Sequence, residues 1–291
     1  MNYIKTYKEL EKQSPNVISR KIRHSALNLL ALKDRLLNWN NIVSQKAGVQ
    51  ILYFHHVYDD EILAFDLLLK YLAQSHTFVS YSEAVYRILN GDNSEPCIAL
   101  SSDDGFQNNL VAAKIMDKYA AKACFFINPN SIGLSDPSLI ADFCRNRLKV
   151  RPTKFLNWNE INDLQNSGHE IGAHTRDHIN VAETPLRAFR EDLEATRKII
   201  NSRCGNPRHF SFPFGRIAHF SKEAMAEVFK AGHDSCASAE RGSHNCEKPV
   251  RKEKLLLRRD QIIAGWPLSH NLYFIRRNLK KLKQARNEWP A

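Results

Sequence analysis

Two adjacent carboxylates, Asp103 and Asp104, come shortly after the apolar run Cys97–Leu100 and are followed by Gly105. Neighbouring carboxylates repel each other unless a cation lies beside them, so the pair is a candidate for metal binding or acid–base chemistry. Asp and Gly are also ordinary turn residues, and a simple turn is the alternative interpretation.

Two histidines, His174 and His178, come directly after the short run Glu170–Ala173. Their spacing would place both imidazoles on one face of a helical turn, at a separation that suits a shared divalent ion. A pair of solvent-facing histidines is the alternative, because this spacing alone occurs by chance. With an Asp from the first cluster they form a His, His, Asp set that leaves coordination positions open for water and substrate, which is typical of a hydrolase.

Short apolar runs of strand length alternate with helical stretches along most of the chain. The predicted strands are 49–54, 97–102, 123–128, 170–173, 209–212 and 234–238, and the predicted helices are 62–74, 107–119, 158–167, 185–201 and 221–231. This alternation predicts an α/β fold with a mostly parallel sheet. In a barrel of such units the working residues lie at the carboxyl ends of the strands, where both polar clusters fall.

The formal charge of +11 on the 291 residues is concentrated at the two ends of the chain. Residues 1–46 hold 9 Lys and Arg against 3 Asp and Glu, residues 251–291 hold 11 against 3, and residues 47–250 carry a net charge of −3. A slightly acidic centre argues against a nucleic-acid enzyme, whereas the basic ends favour contact with an anionic surface.

We expect neither a membrane-spanning run nor a secretion signal from this sequence. No stretch approaches the roughly 18 consecutive apolar residues of a spanning helix, and charged residues interrupt the beginning of the chain, where a signal peptide needs its apolar stretch. We therefore expect a cytoplasmic protein. The six cysteines form no C-x-x-C pair, so free thiols are expected.

Over roughly residues 49–260 the chain resembles the polysaccharide deacetylases of the NodB-like homology group, carbohydrate esterase family 4. The matching motifs, in chain order, are Leu52–Val57 with L-x-Y-H-x-V, Ser101–Gly105 with T-F-D-D-G, Ala123–Ile127 with A-T-F-F, Gly168–His178 with G-H-E-I-G-x-H-[ST]-x-x-H, and Phe210–Gly215 with F-x-x-P-[YF]-G. The resemblance implies a distorted (β/α) barrel, here with an N-terminal helical extension.

The resemblance also implies a role for each matching residue. Asp103 would be the general base that activates water, and Asp104, His174 and His178 would bind a divalent metal ion, with zinc favoured. The backbone N–H of Phe214 would stabilise the tetrahedral oxyanion together with the metal. The implied reaction is hydrolysis of an acetamide on an amino sugar.

The chain departs from the family pattern at two positions. Many members have an Arg before the loop proline that orients the catalytic Asp, where this chain has Phe212; Arg258 or Arg259 is the candidate replacement, unless both are surface residues of the basic end. Many members also carry a late Leu-x-His motif whose His protonates the leaving amine. His270 is the candidate for that acid, and His55, on the first strand, is an alternative polar group facing the barrel mouth.

Three residues are candidates for contact with the sugar: Phe106, Pro213 and His55. Aromatic faces stack on pyranose rings, so Phe106 beside the Asp pair would line the sugar subsite unless it packs in the core. Pro213 stiffens the loop that carries the oxyanion donor.

These features predict a metal-dependent N-deacetylase acting on an amino sugar of a bacterial surface-glycan precursor, which is nucleotide-linked or lipid-linked, or on an oligosaccharide. Removal of an N-formyl or O-acetyl group by the same site, and an inactive carbohydrate-binding relative, are the alternatives. The predicted organisation is a basic helical extension (1–47), a deacetylase barrel (48–275) and a basic C-terminal helix or tail (276–291). Residues 18–43 and 276–286 would hold the enzyme against the anionic inner face of the membrane.

Overall fold

A curled sheet of parallel strands forms the framework of the protein. The computed structural model describes residues 3–12, 17–36, 48–92, 94–280 and 288–289. Within these residues the strands are β1 (Gly48–Phe54), β2 (Thr77–Phe78), β3 (Pro96–Ser102), β4 (Ala123–Ile127), β5 (Glu170–Ala173), β6 (His209–Ser211), β7 (Ser235–Ala237) and β8 (Asp260–Gln261). Their order is β7-β6-β5-β4-β3-β1-β8, with β2 paired to β3, and each pairing is parallel.

Helices cover the sheet between successive strands. In the described part of the chain they are α1 (Tyr7–Lys12), α2 (Val17–Leu36), α3 (Ile62–Leu72), α4 (Tyr81–Asn90), α5 (Asn109–Asp117), α6 (Pro137–Asp142), α7 (Trp158–Asn166), α8 (Leu186–Cys204), α9 (Lys222–Lys230) and α10 (Leu268–Lys280). The α/β fold of parallel strands and covering helices confirms the predicted fold class.

The strands are buried on both faces, because helices cover one face and the interior of the curled sheet fills the other. In β4, Phe125 packs into the large core beneath the helices, whereas Phe126 packs into the interior core. Gly172 on the neighbouring β5 has no side chain because a Cβ there would collide with the Phe126 ring. The alternation of side chains with period two therefore builds two cores from one sheet.

The segment before β8 closes the curled sheet. Asp260 and Gln261 pair with β1, while Leu257 forms a bridge with Ala237 at the end of β7. Arg259 lies between these two contacts and so points from the closing segment into the barrel, where it is fully buried.

The N-terminal segments pack against the C-terminal part of the barrel. On α2, Leu27 is buried, and Asn28 accepts a hydrogen bond from His270 of α10 at 2.8 Å. The helix α10 continues through residue 275, where the barrel was predicted to end, and the proposed division at 47/48 and 275/276 stays a prediction. None of the helices within the described residues is long and apolar enough to cross a membrane.

Candidate active site

The carboxyl ends of the strands bring the polar clusters of the sequence together in one cleft of about 390 Å³. Asp103 and Asp104 follow β3, His174 and His178 follow β5, and His55 follows β1. All five line the cleft. Parallel strands end at one edge of the sheet, which is why residues far apart in sequence meet here.

Asp104, His174 and His178 form a compact triad. The Oδ1 atom of Asp104 lies 3.4 Å from His174 Nε2 and 3.5 Å from His178 Nε2, and all three residues are buried. Each imidazole is oriented through its other nitrogen: His174 Nδ1 lies 2.7 Å from the Ser211 carbonyl and His178 Nδ1 lies 3.2 Å from the Arg147 carbonyl. Because these carbonyls accept from Nδ1–H, both Nε2 lone pairs face Asp104.

This triad fits a divalent metal ion. The potential ligand atoms lie within 4.8 Å of one another, and no hydrogen-bond donor in the described part of the chain reaches the buried Oδ1 of Asp104. A buried carboxylate oxygen and two converging imidazole lone pairs leave a polar set unsatisfied unless a cation lies between them. Two His and one carboxylate are a common zinc set with open positions.

The electrostatics of the triad favour positive charge between its members. Burial alone would raise the pKa of Asp104, but the close contacts with His174 and His178 outweigh burial and hold it well below its ordinary value. Burial alone would lower the pKa of His174, but Asp104 and Asp103 raise it above its ordinary value. Burial lowers the pKa of His178 to about 4, which leaves a neutral imidazole suited to metal coordination.

The segment that carries the two histidines is a loop, so the predicted helical turn is wrong. Thr175 and His178 both have left-handed backbone conformations, with φ of 59° and 52°. The Asn128 amide donates to the carbonyls of His174 and Thr175, which a helix would use for its own hydrogen bonds. Asp104 is also left-handed, with φ of 77°, and such unfavourable backbone conformations cluster at functional sites.

Asp103 is held by Arg259 in a bidentate ion pair. Nη1 donates to Oδ1 and Nη2 donates to Oδ2, each at 2.8 Å. The remaining donors of the guanidinium reach the Ser238 carbonyl and the hydroxyls of Ser101 and Ser211. Burial alone would raise the pKa of Asp103, but Arg259 outweighs it and lowers the pKa below its ordinary value.

Of the two arginine candidates, the structure brings Arg259 and not Arg258 to the Asp pair. Arg258 is half-buried on the other side of the closing segment, with its side chain over Gly242. Phe212, at the position where many family members have an Arg, is buried and stacks on Phe220 at 4.2 Å between ring centroids.

The loop Phe212–Gly215 forms one wall of the cleft. Phe214 has a φ of 62°, its ring packs 4.8 Å from that of His178, and its N–H makes no hydrogen bond within the described residues. Gly215 is also left-handed, and a Cβ there would collide with Ala239. Pro213 precedes Phe214 but does not itself line the cleft.

The structure separates the two candidates for the general acid. His270 is fully buried, bonded to Asn28 and packed against His24, and it does not line the cleft. The role of acid therefore does not fit His270, because its imidazole is enclosed between α2 and α10. His55 does line the cleft, with its Nε2 4.0 Å from Asp104 Oδ2 and its side chain 33% exposed.

Phe106 lies in the core and not in the sugar subsite. Its ring is fully buried and stacks on Phe155 at 5.4 Å, and the centroid of the His56 ring lies 4.1 Å away. It therefore supports the cleft wall through His56 and presents no face to a sugar.

Several cleft residues escaped the sequence analysis, among them Tyr7, Tyr53, Glu61 and Arg151. Tyr53 lies under Arg259, with the guanidinium carbon 4.6 Å from the ring centroid. It occupies the unspecified second position of the L-x-Y-H-x-V motif, so the motif gave no signal for it. The other three lie outside every motif, and the long-range packing that brings them to the cleft leaves no local pattern.

The parallel strands, the triad that could hold a metal ion and the Arg-held Asp fit the class of carbohydrate esterases that the sequence motifs resemble. A sequence profile described as Polysaccharide deacetylase matches residues 90–234. The chain belongs to the polysaccharide deacetylase family, and this membership supports carbohydrate deacetylation.

Solved structures share the fold at low sequence identity. IcaB from Ammonifex degensii is 17% identical with a TM-score of 0.62, over 78% of this chain and 97% of that one. A de-N-acetylase from Aggregatibacter actinomycetemcomitans is 18% identical with a TM-score of 0.61, over 78% and 99% of the two chains. The Streptococcus pyogenes deacetylase PplD is 14% identical with a TM-score of 0.59, over 78% and 96%. No curated protein matched the sequence.

Proposed function

We propose that this protein is a metal-dependent hydrolase that removes the N-acetyl group from an amino sugar of a bacterial surface-glycan precursor or oligosaccharide. The observation that carries the proposal is the buried Asp104–His174–His178 triad beside a second carboxylate, Asp103, in an open cleft. A divalent ion held by this triad, zinc by preference, would acidify water and polarise the acyl carbonyl.

The neighbouring residues supply the proton transfers and the oxyanion contact. Asp103 accepts a proton from the attacking water, and Arg259 keeps its carboxylate ionised and correctly oriented. The N–H of Phe214 donates to the oxygen on which negative charge develops. Pro213 restricts the loop that carries this donor.

We assign the proton donor for the leaving nitrogen to His55. Among the histidines that line the cleft, His174 and His178 belong to the metal triad, and burial lowers the pKa of His56 to about 3, so that it stays neutral. His55 is partly exposed at the mouth and lies near Asp104, within reach of a bound amide.

We further propose a cytoplasmic enzyme that contacts the inner face of the membrane and acts on a nucleotide-linked or lipid-linked sugar. One side of α2 packs on the barrel, and its opposite side exposes a stripe of apolar residues, namely Ile18, Ile22, Leu29, Leu32 and Leu36. Exposed lysines, Lys21 and Lys33, flank this stripe. A helix with these two features suits an anionic membrane surface. Residues 37–43 and 281–286, which belong to the same hypothesis, lie outside the described residues.

The test is product analysis over a panel of nucleotide-linked, lipid-linked and oligomeric amino sugars, each offered in N-acetyl, N-formyl and O-acetyl form. The proposal predicts release of acetate together with a free amine from at least one N-acetyl sugar. Preferential release of formate from an N-formyl sugar, or of acetate from an O-acetyl sugar, would assign the site to one of the alternative reactions. Binding of the sugars without any turnover would instead indicate a carbohydrate-binding relative.

A further inference from the structure

A second, larger groove adjoins the cleft. It has a volume of about 1270 Å³ and runs between residues 3–9, α5 and the segment 145–154. Tyr58, Arg151 and Thr153 line both spaces. The walls are also linked by a contact of 3.3 Å between the Asn108 amide in the groove and the His56 ring in the cleft. A substrate whose acyl group lies in the cleft can therefore extend into the groove.

The groove is lined by positively charged side chains. Its five cations are Lys5, Lys114, Arg145, Arg151 and Lys154. All five are exposed, and within the described residues none of them forms an ion pair. Two carboxylates, Glu9 and Asp59, also line the groove, and Glu9 already accepts the backbone N–H groups of Lys5 and Thr6.

This concentration of positive charge is local. The central part of the chain, residues 47–250, carries a net charge of −3, yet four of the five groove cations come from it. Lys149 adds a further cation to the shallow depression formed with Arg145 and Arg151. The surface next to the cleft is therefore positively charged, although the central part of the chain that supplies most of its residues has a net negative charge. Such a groove attracts anions.

We infer that this groove, hereafter the basic groove, binds the diphosphate that links the amino sugar to its carrier. The inference rests on the proposed deacetylase function and names the part of the substrate that its cleft does not hold. Arginine and lysine are the usual partners of phosphate oxygens. A neutral glycan has no need of these cations, and a polymer already carrying free amines would be repelled by them.

Binding can be measured independently of turnover. The metal-loaded enzyme is titrated with inorganic pyrophosphate, UDP and farnesyl diphosphate, and compared with the double variant Lys114→Gln/Lys154→Gln. A second double variant, Lys198→Gln/Lys222→Gln, removes two exposed lysines on α8 and α9, outside the basic groove. Binding of phosphate to the metal is common to all three proteins, so only the difference between them reports on the groove.

The inference predicts that the Lys114/Lys154 variant binds pyrophosphate about tenfold more weakly than the other two proteins, because two charge-assisted contacts are lost. A preference for UDP or for farnesyl diphosphate over pyrophosphate identifies a nucleotide or a lipid carrier. Equal affinity of all three proteins for all three probes would overturn the inference.

Turnover separates this inference from the proposed function. The ratio of kcat/KM for UDP-N-acetylglucosamine to that for N,N′-diacetylchitobiose should fall in the Lys114/Lys154 variant through a higher KM, and should match wild type in the control variant. The two claims can fail separately. If no sugar of the full panel is hydrolysed while pyrophosphate binding still depends on Lys114 and Lys154, the proposed function fails and the anion site stands.

Discussion

The two adjacent carboxylates have different surroundings, which suit different tasks. Asp104 faces two imidazole nitrogens, whereas both oxygens of Asp103 accept from Arg259. An amide at position 104 would offer a weaker metal ligand, and an amide at position 103 could not accept a proton.

Asp103→Asn should therefore keep the metal and lose activity, whereas Asp104→Asn should lose metal. We expect kcat to fall at least 100-fold in Asp103→Asn at unchanged metal content, within the usual range for removal of a general base. Metal content by elemental analysis and turnover are measured on the same preparations. The reverse pattern would mean that the two roles are exchanged.

Arg259 supplies from the closing segment the guanidinium that many relatives place before the loop proline. Replacing it by Ala leaves Asp103 as a buried carboxylate without its cation, which costs about 3–5 kcal/mol in stability. Arg259→Lys keeps the charge but not the bidentate geometry, so it should lie between Ala and wild type.

Denaturant unfolding and kcat of Arg259→Ala, Arg259→Lys and Arg258→Ala test this arrangement. Arg258 is the matched control, because its side chain lies against Gly242 and away from the Asp pair. Equal effects of the two Ala substitutions on kcat would remove Arg259 from the site.

At the scale of elements, the N-terminal segment and the cleft are joined through Glu61. Its carboxylate accepts from the N–H groups of Tyr58 and Gly265. The ring of Tyr7 packs beside Gly265, and the Tyr7 hydroxyl accepts a hydrogen bond from the indole N–H of Trp266. Burial raises the pKa of Glu61 to about 7 from its ordinary value of 4.5. The folded protein therefore holds this proton more tightly than the unfolded chain does.

Glu61 should make the protein less stable as the pH rises from about 4.5 to about 7, because the unfolded chain releases the proton first. The Glu61→Gln variant cannot titrate at this position. We expect the unfolding free energy of wild type, relative to that of Glu61→Gln, to fall by about 2.5 kcal/mol between pH 5 and pH 8. A difference that does not change with pH would contradict the link between Glu61 and the pH dependence.

The exposed stripe on α2 makes the membrane hypothesis testable. Ile18→Ser/Ile22→Ser/Leu29→Ser should reduce sedimentation with anionic vesicles, and wild-type binding should weaken as salt is raised. Leu63→Ser on α3 is the control, since Leu63 is the most exposed large apolar side chain outside α2 at 83%. Recovery of wild type in the supernatant with every vesicle and salt concentration would leave α2 as an ordinary solvated helix.

Much of the framework was predictable because its elements carry local patterns. The apolar runs identified β1, β3, β4, β5, β6 and β7 to within a few residues, and their ends indicated the Asp pair and the His pair, whose separate roles came from the family resemblance. The helix α4 was missed although its buried Tyr81, Ala84, Val85 and Ile88 have helical spacing after the cap Ser80. The bounds of β8 had no such pattern, because both of its residues, Asp260 and Gln261, are polar and their pairing with β1 leaves no apolar run in the sequence.

The errors at the site come from long-range packing. His270 looked like a family motif, but contacts with α2, more than 200 residues earlier in the chain, enclose it. Phe106 was assigned to the sugar subsite and Tyr7 was missed for the same reason, because the surroundings of both residues come from segments distant in sequence. Residue type and strand position predict which groups reach the cleft edge, whereas the walls of the cleft depend on which elements dock there.

For the molecule as a whole, the closed sheet has a direct consequence for catalysis. Residues at the ends of β1, β3, β5 and β6 and in the closing segment reach one cleft, so its chemical groups are fixed by several strands of the same sheet. A site assembled in this way is preorganised by the barrel, so removing the ion should abolish turnover while leaving the barrel itself folded.

The central claim is that the Asp104–His174–His178 triad binds the ion on which hydrolysis depends. The most direct measurement is acetate release from the preferred N-acetyl sugar by protein stripped of metal, verified as metal-free, and then titrated with zinc. We predict no release without metal and recovery that is linear up to one ion per chain. Full acetate release by the verified metal-free protein would contradict the claim.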